Sequence, residues 1–343
     1  MVSIKDISVV CGVSVATVSK ALNNYKDIGE ETKARICQTA REMGYVPNFA
    51  SKVLKTNRTY NLGVLFKDAA QSGLTHDYFS YVLDSFKETA EDKGYDITFI
   101  NGRVTGNNRM RYLEHCKYRR FDGVVMACVD FYDPEVLELI RSDIPLVTID
   151  HVYNNRSTVI SDNVKGMRDL VQYIYRMGHR RIAYIHGTDS AVTQRRLSSF
   201  YKTCEDLGLE VPPEYVREAA YRDTTRAWIR TMELLRLKER PTCILYPDDF
   251  AYIGGLNAIT ESGLKVPDDI STAGYDGIAL GKYLAPPLTT LEQDTRRLGM
   301  EAANMLINII EHPKTTLADQ ILVEGRLFEG GSVKRLPAAD GEQ

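Results

Sequence analysis

Four aspartates, an arginine and a pair of aromatic residues sit where strands would end or helices begin. Asp150 closes LVTID, Asp248 and Asp249 follow CILYP, and Asp276 closes AGYD. Arg196 lies in the helical pattern after IAYIHG, and Tyr78 with Phe79 opens the helical pattern that follows NLGVLF. Carboxylates beside a guanidinium supply paired hydrogen bonds to vicinal hydroxyls. Aromatic rings cover the apolar face of a pyranose or a nucleoside base. Each residue also has a plainer use: Asp at a strand end caps helices, and Tyr-Phe at a helix start fills a core.

Patterns for catalysis do not accompany them. Neither GxGxxG nor GxxxxGK[ST] follows the first strand, where NLGVLFKDAAQSG stands. The histidines (His76, His115, His151, His179, His186, His312) are dispersed, and no Ser/His/Asp set is evident. His179, in MGHRRIA just before a strand, reads as structural. The six cysteines (Cys11, Cys37, Cys116, Cys128, Cys204, Cys243) form no CxxC pair, so a reduced chain is expected. The reading is of a protein that is not an enzyme and has no cofactor and no metal site.

The elements that must carry the aspartates alternate in type. NLGVLF, DITFI, GVVMACV, LVTID, RIAYIHG, CILY and ISTAGYD are apolar runs of strand length. Amphipathic stretches at 78–93, 163–177, 193–207 and 250–262 separate them. Alternation of this kind predicts an α/β body of two doubly wound parallel-sheet subdomains over 60–330. Ligands bind such sheets beyond the carboxyl ends of the strands, and here the cleft between lobes is the natural place.

The amino-terminal end has another character. Residues 1–60 hold nine Lys/Arg against five Asp/Glu, while the remaining 34 and 41 leave the rest acidic. A small basic head on an acidic body is expected when only the head approaches a polyanion. Ile4, Ile7, Cys11, Val13, Val18 and Ala21 have helical spacing, with Gly12 at a turn and Ser3 and Ser14 at cap positions. Two short helices about a Gly turn describe a helix-turn-helix, although an ordinary helical hairpin has the same parts. A third helix is expected from about Glu30 to Met43, with Ala34, Ile36, Cys37, Ala40 and Met43 closing the core.

In GVSVATVSKALN the small side chains let a helix approach base edges closely. Val15 and Ala16 suit thymine methyls, and Lys20 can donate to guanine O6 or N7. Ser14, Thr17 and Asn23 suit phosphates. After Pro47 the segment FASKVLK is too short to hold a helix by itself, and Leu54 flanked by Lys52 and Lys55 suits a minor-groove wedge. A plain basic tether is the simpler account of the same residues.

IKDIS, GVSVATVSKALN, ETKARI, GYVPN and SKVLKT, in that order and spacing, resemble the lactose-repressor/galactose-repressor family of bacterial regulators. HDYF, VISDN, MGHRRIAYIHG, RRLSSF, PDDFAYIGGLNAI, VPDDISTAGYDG and PPLTTLEQD extend the resemblance to about residue 330. It implies a helix-turn-helix head over 1–46, a hinge over 47–59 and a periplasmic-binding-protein-like effector and dimerisation body over 60–330. It implies Val15, Ala16 and Lys20 as base readers, and Leu54 as the wedge with Ser51 and Lys55 beside it. For the effector it implies Tyr78, Phe79, Asp150, Arg196, Tyr221, Asp248 and Asp276.

Departures from the family pattern are Ser51 for Ala, Lys20 and Lys52 for Arg, Ser199 for Gly, and Asp248-Asp249 for Asn-Asp. The last suggests an added negative charge and a neutral polyol as effector. The implied protein is a homodimeric repressor on a palindromic double-stranded operator, released by a sugar. Purine-responsive relatives show the opposite sign. The start MVSIKDIS has no apolar core of an export signal, and no run approaches a membrane span, so a cytoplasmic location is expected. A sugar-binding protein without a DNA role would lack the basic head. Residues 331–343 read as an irregular tail that adds no helix, which makes a dimer the default rather than a tetramer.

Overall fold

In the computed structural model the first helix, α1 (Ile4–Cys11), begins on a capping box. The Asp6 amide donates to Ser3 Oγ, and the Ser3 amide donates to Asp6 Oδ2 at 2.8 Å. The described residues are 2–46, 58–68, 70–101, 103–105 and 108–337. Gly12, at φ +64°, ends α1 in the left-handed conformation that a side chain would resist. Ser14 Oγ then accepts from the Thr17 amide at 3.1 Å and starts α2 (Val15–Leu22). The third helix, α3 (Glu30–Glu42), starts at Gly29 without a side-chain cap.

Helices of eight residues hold no structure alone, so packing must supply their stability. Ile7, Cys11, Val18, Ala21, Ile36 and Ala40 form the shared core, with Ile4, Val13 and Met43 partly buried against it. Ala34, expected inside, is exposed. Two residues along a helix turn the side chain to the opposite face, so Ala34 points away when Ile36 points in.

The chain divides into two compact units, Met1–Thr59 and Tyr60–Gln343. The second alternates strand and helix throughout. Its first part runs β1 (Asn61–Phe66), α4 (Asp77–Asp92), β2 (Asp96–Phe99), β3 (Arg103–Thr105), β4 (Asn108–Arg109) and α5 (Tyr112–Arg119). Then come β5 (Gly123–Ala127), α6 (Pro134–Ile140), β6 (Leu146–Ile149), β7 (Ser157–Ser161) and α7 (Asn163–Arg176). The middle holds β8 (Ile182–His186), α8 (Ala191–Asp206), β9 (Val216–Glu218), α9 (Thr224–Leu235), β10 (Cys243–Leu245) and α10 (Ala251–Glu261). It closes with β11 (Ser271–Asp276), α11 (Ala279–Tyr283), β12 (Thr289–Glu292), α12 (Thr295–Glu311), β13 (Gln320–Val323) and β14 (Arg326–Phe328).

Two main sheets result, ordered β13-β7-β6-β5-β1-β2 and β14-β12-β11-β10-β8-β9. All their pairings are parallel except that of β14 with β12. Both faces of each are covered, and alternation along a strand shows it. Val125 and Ala127 pack towards α4 and α12, while Val124 and Met126 pack towards α5 and α6. Ile182 and Tyr184 face α7 and α8, while Ala183 and Ile185 face α9 and α10. Strands buried on both sides read as the continuous apolar runs seen in the sequence.

Among the described residues the chain passes between the lobes three times, after β7, after β12 and between β13 and β14. These three connections join the two lobes. Among the same residues no helix is long and apolar enough to cross a membrane.

The chain beyond Gly330, expected as an irregular tail that adds no helix, is tied to the second lobe. Ser332 Oγ donates to the Thr272 carbonyl at 2.6 Å and accepts from the Thr289 amide at 2.8 Å, and Val333 is buried. His179 bonds Thr242 Oγ1 and the Lys334 carbonyl at 2.9 and 3.1 Å, and the Leu336 amide donates to Met177. Residues 331–336 therefore belong to the second lobe. No periodic pattern announced it, because the segment is held by hydrogen bonds to backbone groups. No helix occurs in it as far as residue 337, where the description ends.

Candidate functional site

The carboxyl ends of the strands of both lobes open on one cavity of about 550 Å³. Tyr78, Phe79, Asp150, Arg196, Tyr221, Asp248 and Asp276 all line it. Order in each sheet explains the convergence. The chain reverses direction of growth between β1 and β5 in one sheet and between β8 and β10 in the other, which opens a crevice at those strand ends.

Arg196 is the electrostatic centre. Its Nε donates to Asn163 Oδ1 at 2.7 Å, one Nη donates to the Pro247 carbonyl at 3.0 Å, and the other lies 3.7 Å from Asp276 Oδ1. The guanidinium carbon stands 3.6 Å from the centre of the Tyr275 ring, and only 3% of the residue is exposed. Asp276 also accepts from Gln293 Nε2 at 2.6 Å. Burial pushes its carboxyl pKa up to about 7, with Arg196 opposing and Asp248 and Asp150 adding to the rise. Asp150 Oδ1 accepts from the Ser161 amide at 2.8 Å, and burial raises its pKa as well.

Asp248 has a narrower part than its residue type suggested. Its oxygens accept from the Arg222 amide at 2.8 Å and the Ala251 amide at 2.7 Å, so it ties the loop before α9 to the start of α10. Asp249 faces away from the cavity, bonded to Thr290 Oγ1 at 2.7 Å and the Ile278 amide at 2.9 Å. Asp150 and Asp276 are therefore the carboxylates with most capacity left for a ligand. Both have positive φ, +61° and +103°, as do Cys128 and Arg222 on the same cavity. Non-glycine residues held there cost about 1–3 kcal/mol each, and such strain gathers at functional sites.

The aromatic residues are fixed by their neighbours. Tyr78 stands edge-on to Phe79 at 4.8 Å, and its hydroxyl lies 3.4 Å from Gln293 Oε1. Tyr221 shares a hydrogen bond with Thr193 Oγ1 at 2.9 Å, and its ring lies against Gly187, where an added Cβ would meet it at 2.2 Å. Gly187→Ala is expected to push the Tyr221 ring towards the cavity and break its bond to Thr193. A loss of about 1–3 kcal/mol in denaturant titration, with a rotated Tyr221 in a crystal structure of the variant, checks this.

Several residues of the cavity were not foreseen. His76 caps α4, accepting from the Phe79 amide, and burial lowers its pKa to about 4, so it is neutral. Arg222 reaches across the cleft to Asp77 Oδ2 at 2.8 Å while lying 4.2 Å over the Phe250 ring, an ion pair joining the lobes. Gln293, at the second crossing, bonds both Asp276 and Tyr78. Phe131, Tyr132 and His151 form an aromatic wall on the first lobe. Chain position was the available signal, since Arg222 adjoins Tyr221 and His151 adjoins Asp150.

In the head, Ser14, Val15, Ala16, Lys20 and Asn23 are exposed and Thr17 is partly so, along the start and one face of α2. Ser14 Oγ bonds Thr17 Oγ1 at 2.9 Å besides capping the helix, and Asn23 Nδ2 donates to the Ser19 carbonyl at 2.7 Å. Lys20 pairs with Asp27 at 2.5 Å, with both side chains about half exposed. Ser51, Leu54 and Lys55 lie outside the described residues.

Known proteins resemble this chain over both its head and its body. Residues 3–48 match the family described as "Bacterial regulatory proteins, lacI family", and 171–333 match "Periplasmic binding protein-like domain". The "HTH-type transcriptional repressor PurR" of Haemophilus influenzae (strain PittEE) is 30% identical over 91% of this chain and 92% of its own. The "Probable HTH-type transcriptional repressor ExuR" of Bacillus subtilis (strain 168) is 29% identical over 98% and 99%. A crystal structure of the lac repressor dimer bound to operator and the anti-inducer ONPF superposes with TM-score 0.81, at 24% identity over 97% of this chain and 99% of that one. The chain belongs to the lacI family of bacterial regulatory proteins, and it is a DNA-binding transcriptional regulator.

Proposed function

We propose that this chain is a dimeric repressor whose grip on a palindromic operator is relieved by a neutral sugar bound in the cleft. The observation that carries the effector half is the cradle of Asp150, Arg196 and Asp276 beside the Tyr78, Phe79 and Tyr221 rings. Carboxylates accept from paired hydroxyls, the guanidinium donates back, and the rings cover C–H faces. Aspartates outnumber the cations Lys67, Arg196 and Arg222 along the cavity, which opposes a phosphorylated or carboxylated ligand. Acting on the chromosome, the protein works in the cytoplasm and performs no chemistry of its own.

Coupling follows from where the cradle is anchored. Asn163 and Gln293, which hold Arg196 and Asp276, stand at two of the interlobe crossings. A ligand that prefers one lobe arrangement shifts its population by its differential affinity. On the DNA side, Val15, Ala16 and Lys20 read bases, and Ser14, Thr17 and Asn23 hold phosphates. Leu54, with Ser51 and Lys55, enters the minor groove. One head reads too few base pairs to be selective, so two copies act together.

A thermal-shift screen of the full chain against neutral sugars, sugar phosphates and nucleobases tests the effector class. Stabilisation by neutral sugars that also lowers operator affinity is expected. Stabilisation by phosphates or bases alone refutes the sugar, and a ligand that tightens operator binding reverses the sign. Lys20→Ala is expected to cost about 1–3 kcal/mol on the operator and to relax preference at one position per half-site. An equal loss on every sequence, in salt-matched titrations, means that Lys20 touches phosphate only.

A further inference from the structure

The cradle occupies one end of the cavity, and the aromatic wall of the first lobe forms another. Phe131 and His151 are stacked, with ring centres 4.3 Å apart and 12° between planes. The Tyr153 ring lies 4.7 Å from His151, and its hydroxyl donates to the Phe131 carbonyl. Tyr132 stands edge-on to His151 at 6.0 Å, its amide held by Asp130 Oδ1 at 2.9 Å. The wall is thus set in place before any ligand arrives, yet Tyr132 is 75% exposed. Large rings left open beside a ligand-sized cavity are an unmet packing surface.

His151 follows Asp150 directly, so wall and cradle are contiguous. A cavity of about 550 Å³ lies well within the range of about 300–1,000 Å³ that whole small-molecule ligands occupy, and it runs from the cradle to the wall. We infer that the wall of Phe131, Tyr132 and His151 is a second-ring subsite and that the effector is a neutral disaccharide. Its first ring lies in the cradle of Asp150, Arg196 and Asp276, and its second ring lies against Tyr132. Asp130 and Asp133 border the wall, where their carboxylates can accept from the hydroxyls of a second ring. This rests on the reading of the cleft as a sugar site.

The test is calorimetry on the full chain with cellobiose, maltose, lactose and melibiose, beside glucose and galactose, with adenine and guanine as a separate arm. One disaccharide is expected to bind at least about tenfold more tightly than either monosaccharide. Tyr132→Ala, at an exposed position, is expected to remove about tenfold from that affinity and to leave any monosaccharide binding within about twofold. Monosaccharides binding as tightly as the disaccharides, or Tyr132→Ala changing nothing, overturns the second ring. If monosaccharide binding is then lost in Asp150→Asn, the cleft reading survives alone. Binding of bases only, or of no probe, overturns both.

Discussion

Asp276→Asn is expected to stabilise the ligand-free body by about 2–4 kcal/mol at pH 8 while removing its response to the effector. The stability half follows from linkage. In the fold the carboxyl of Asp276 titrates at about 7, against 3.8 for the free group, because burial disfavours its charge. Between those values the folded state holds a proton that the unfolded state has released. Stability from this group therefore falls as pH rises from about 4 to 7, and above 7 the full cost of a buried charge remains. Asparagine keeps the shape and the contact with Gln293 without that charge. The effector half follows because a sugar hydroxyl donates to a carboxylate, and the amide nitrogen cannot accept. Denaturant titrations at pH 5 and pH 8 check both the size and the slope. A variant no more stable than wild type at pH 8 refutes the assigned cost.

Destabilising groups of this kind are commonly kept at binding sites. The positive φ of Asp150, Asp276 and Arg222 points the same way.

How much of this was legible depends on the kind of force involved. Strands such as GVVMACV stood out because burial on both faces leaves an unbroken apolar run. STVIS and TTLE are equally buried but carry hydroxyls, so β7 and β12 escaped. Strands β13 and β14 were hidden by Gly325 and by their exposed, edge positions. Position put Asp150, Asp248, Asp249 and Asp276 at strand ends, the family resemblance assigned all but Asp249 to the effector, and those it assigned line the cavity. What position could not tell is how each oxygen is used: Asp248 is bound by two amides, and Asp249 turns away. Phe131, Tyr132 and Arg222 sit in irregular segments, where spacing has no period to betray which way a side chain faces. In the head, caps and spacing specified the helices, because short helices depend on those very residues.

Arg196→Met is expected to have the opposite sign to Asp276→Asn and a larger size. The guanidinium holds Asn163, the Pro247 carbonyl and Asp276 together, and it opposes the raised pKa of Asp150 and Asp276 and, with Arg222, that of Asp248. Methionine fills the space over Tyr275 but answers none of those groups. Breaking a buried charge network by removing one partner costs about 3–5 kcal/mol, because the other charges stay buried and unpaired. The carboxyl pKa values should climb further, so the loss ought to be greatest at pH 8 and to shrink towards pH 5 as the carboxyls take up protons. Adding Asp276→Asn to Arg196→Met should then recover more stability than Asp276→Asn adds to the wild type, since it removes a charge that has lost its counterion. A double-mutant cycle at pH 8 measures this coupling directly. Strict additivity would mean that Arg196 acts through packing and hydrogen bonds alone, and that the charge of Asp276 is balanced elsewhere.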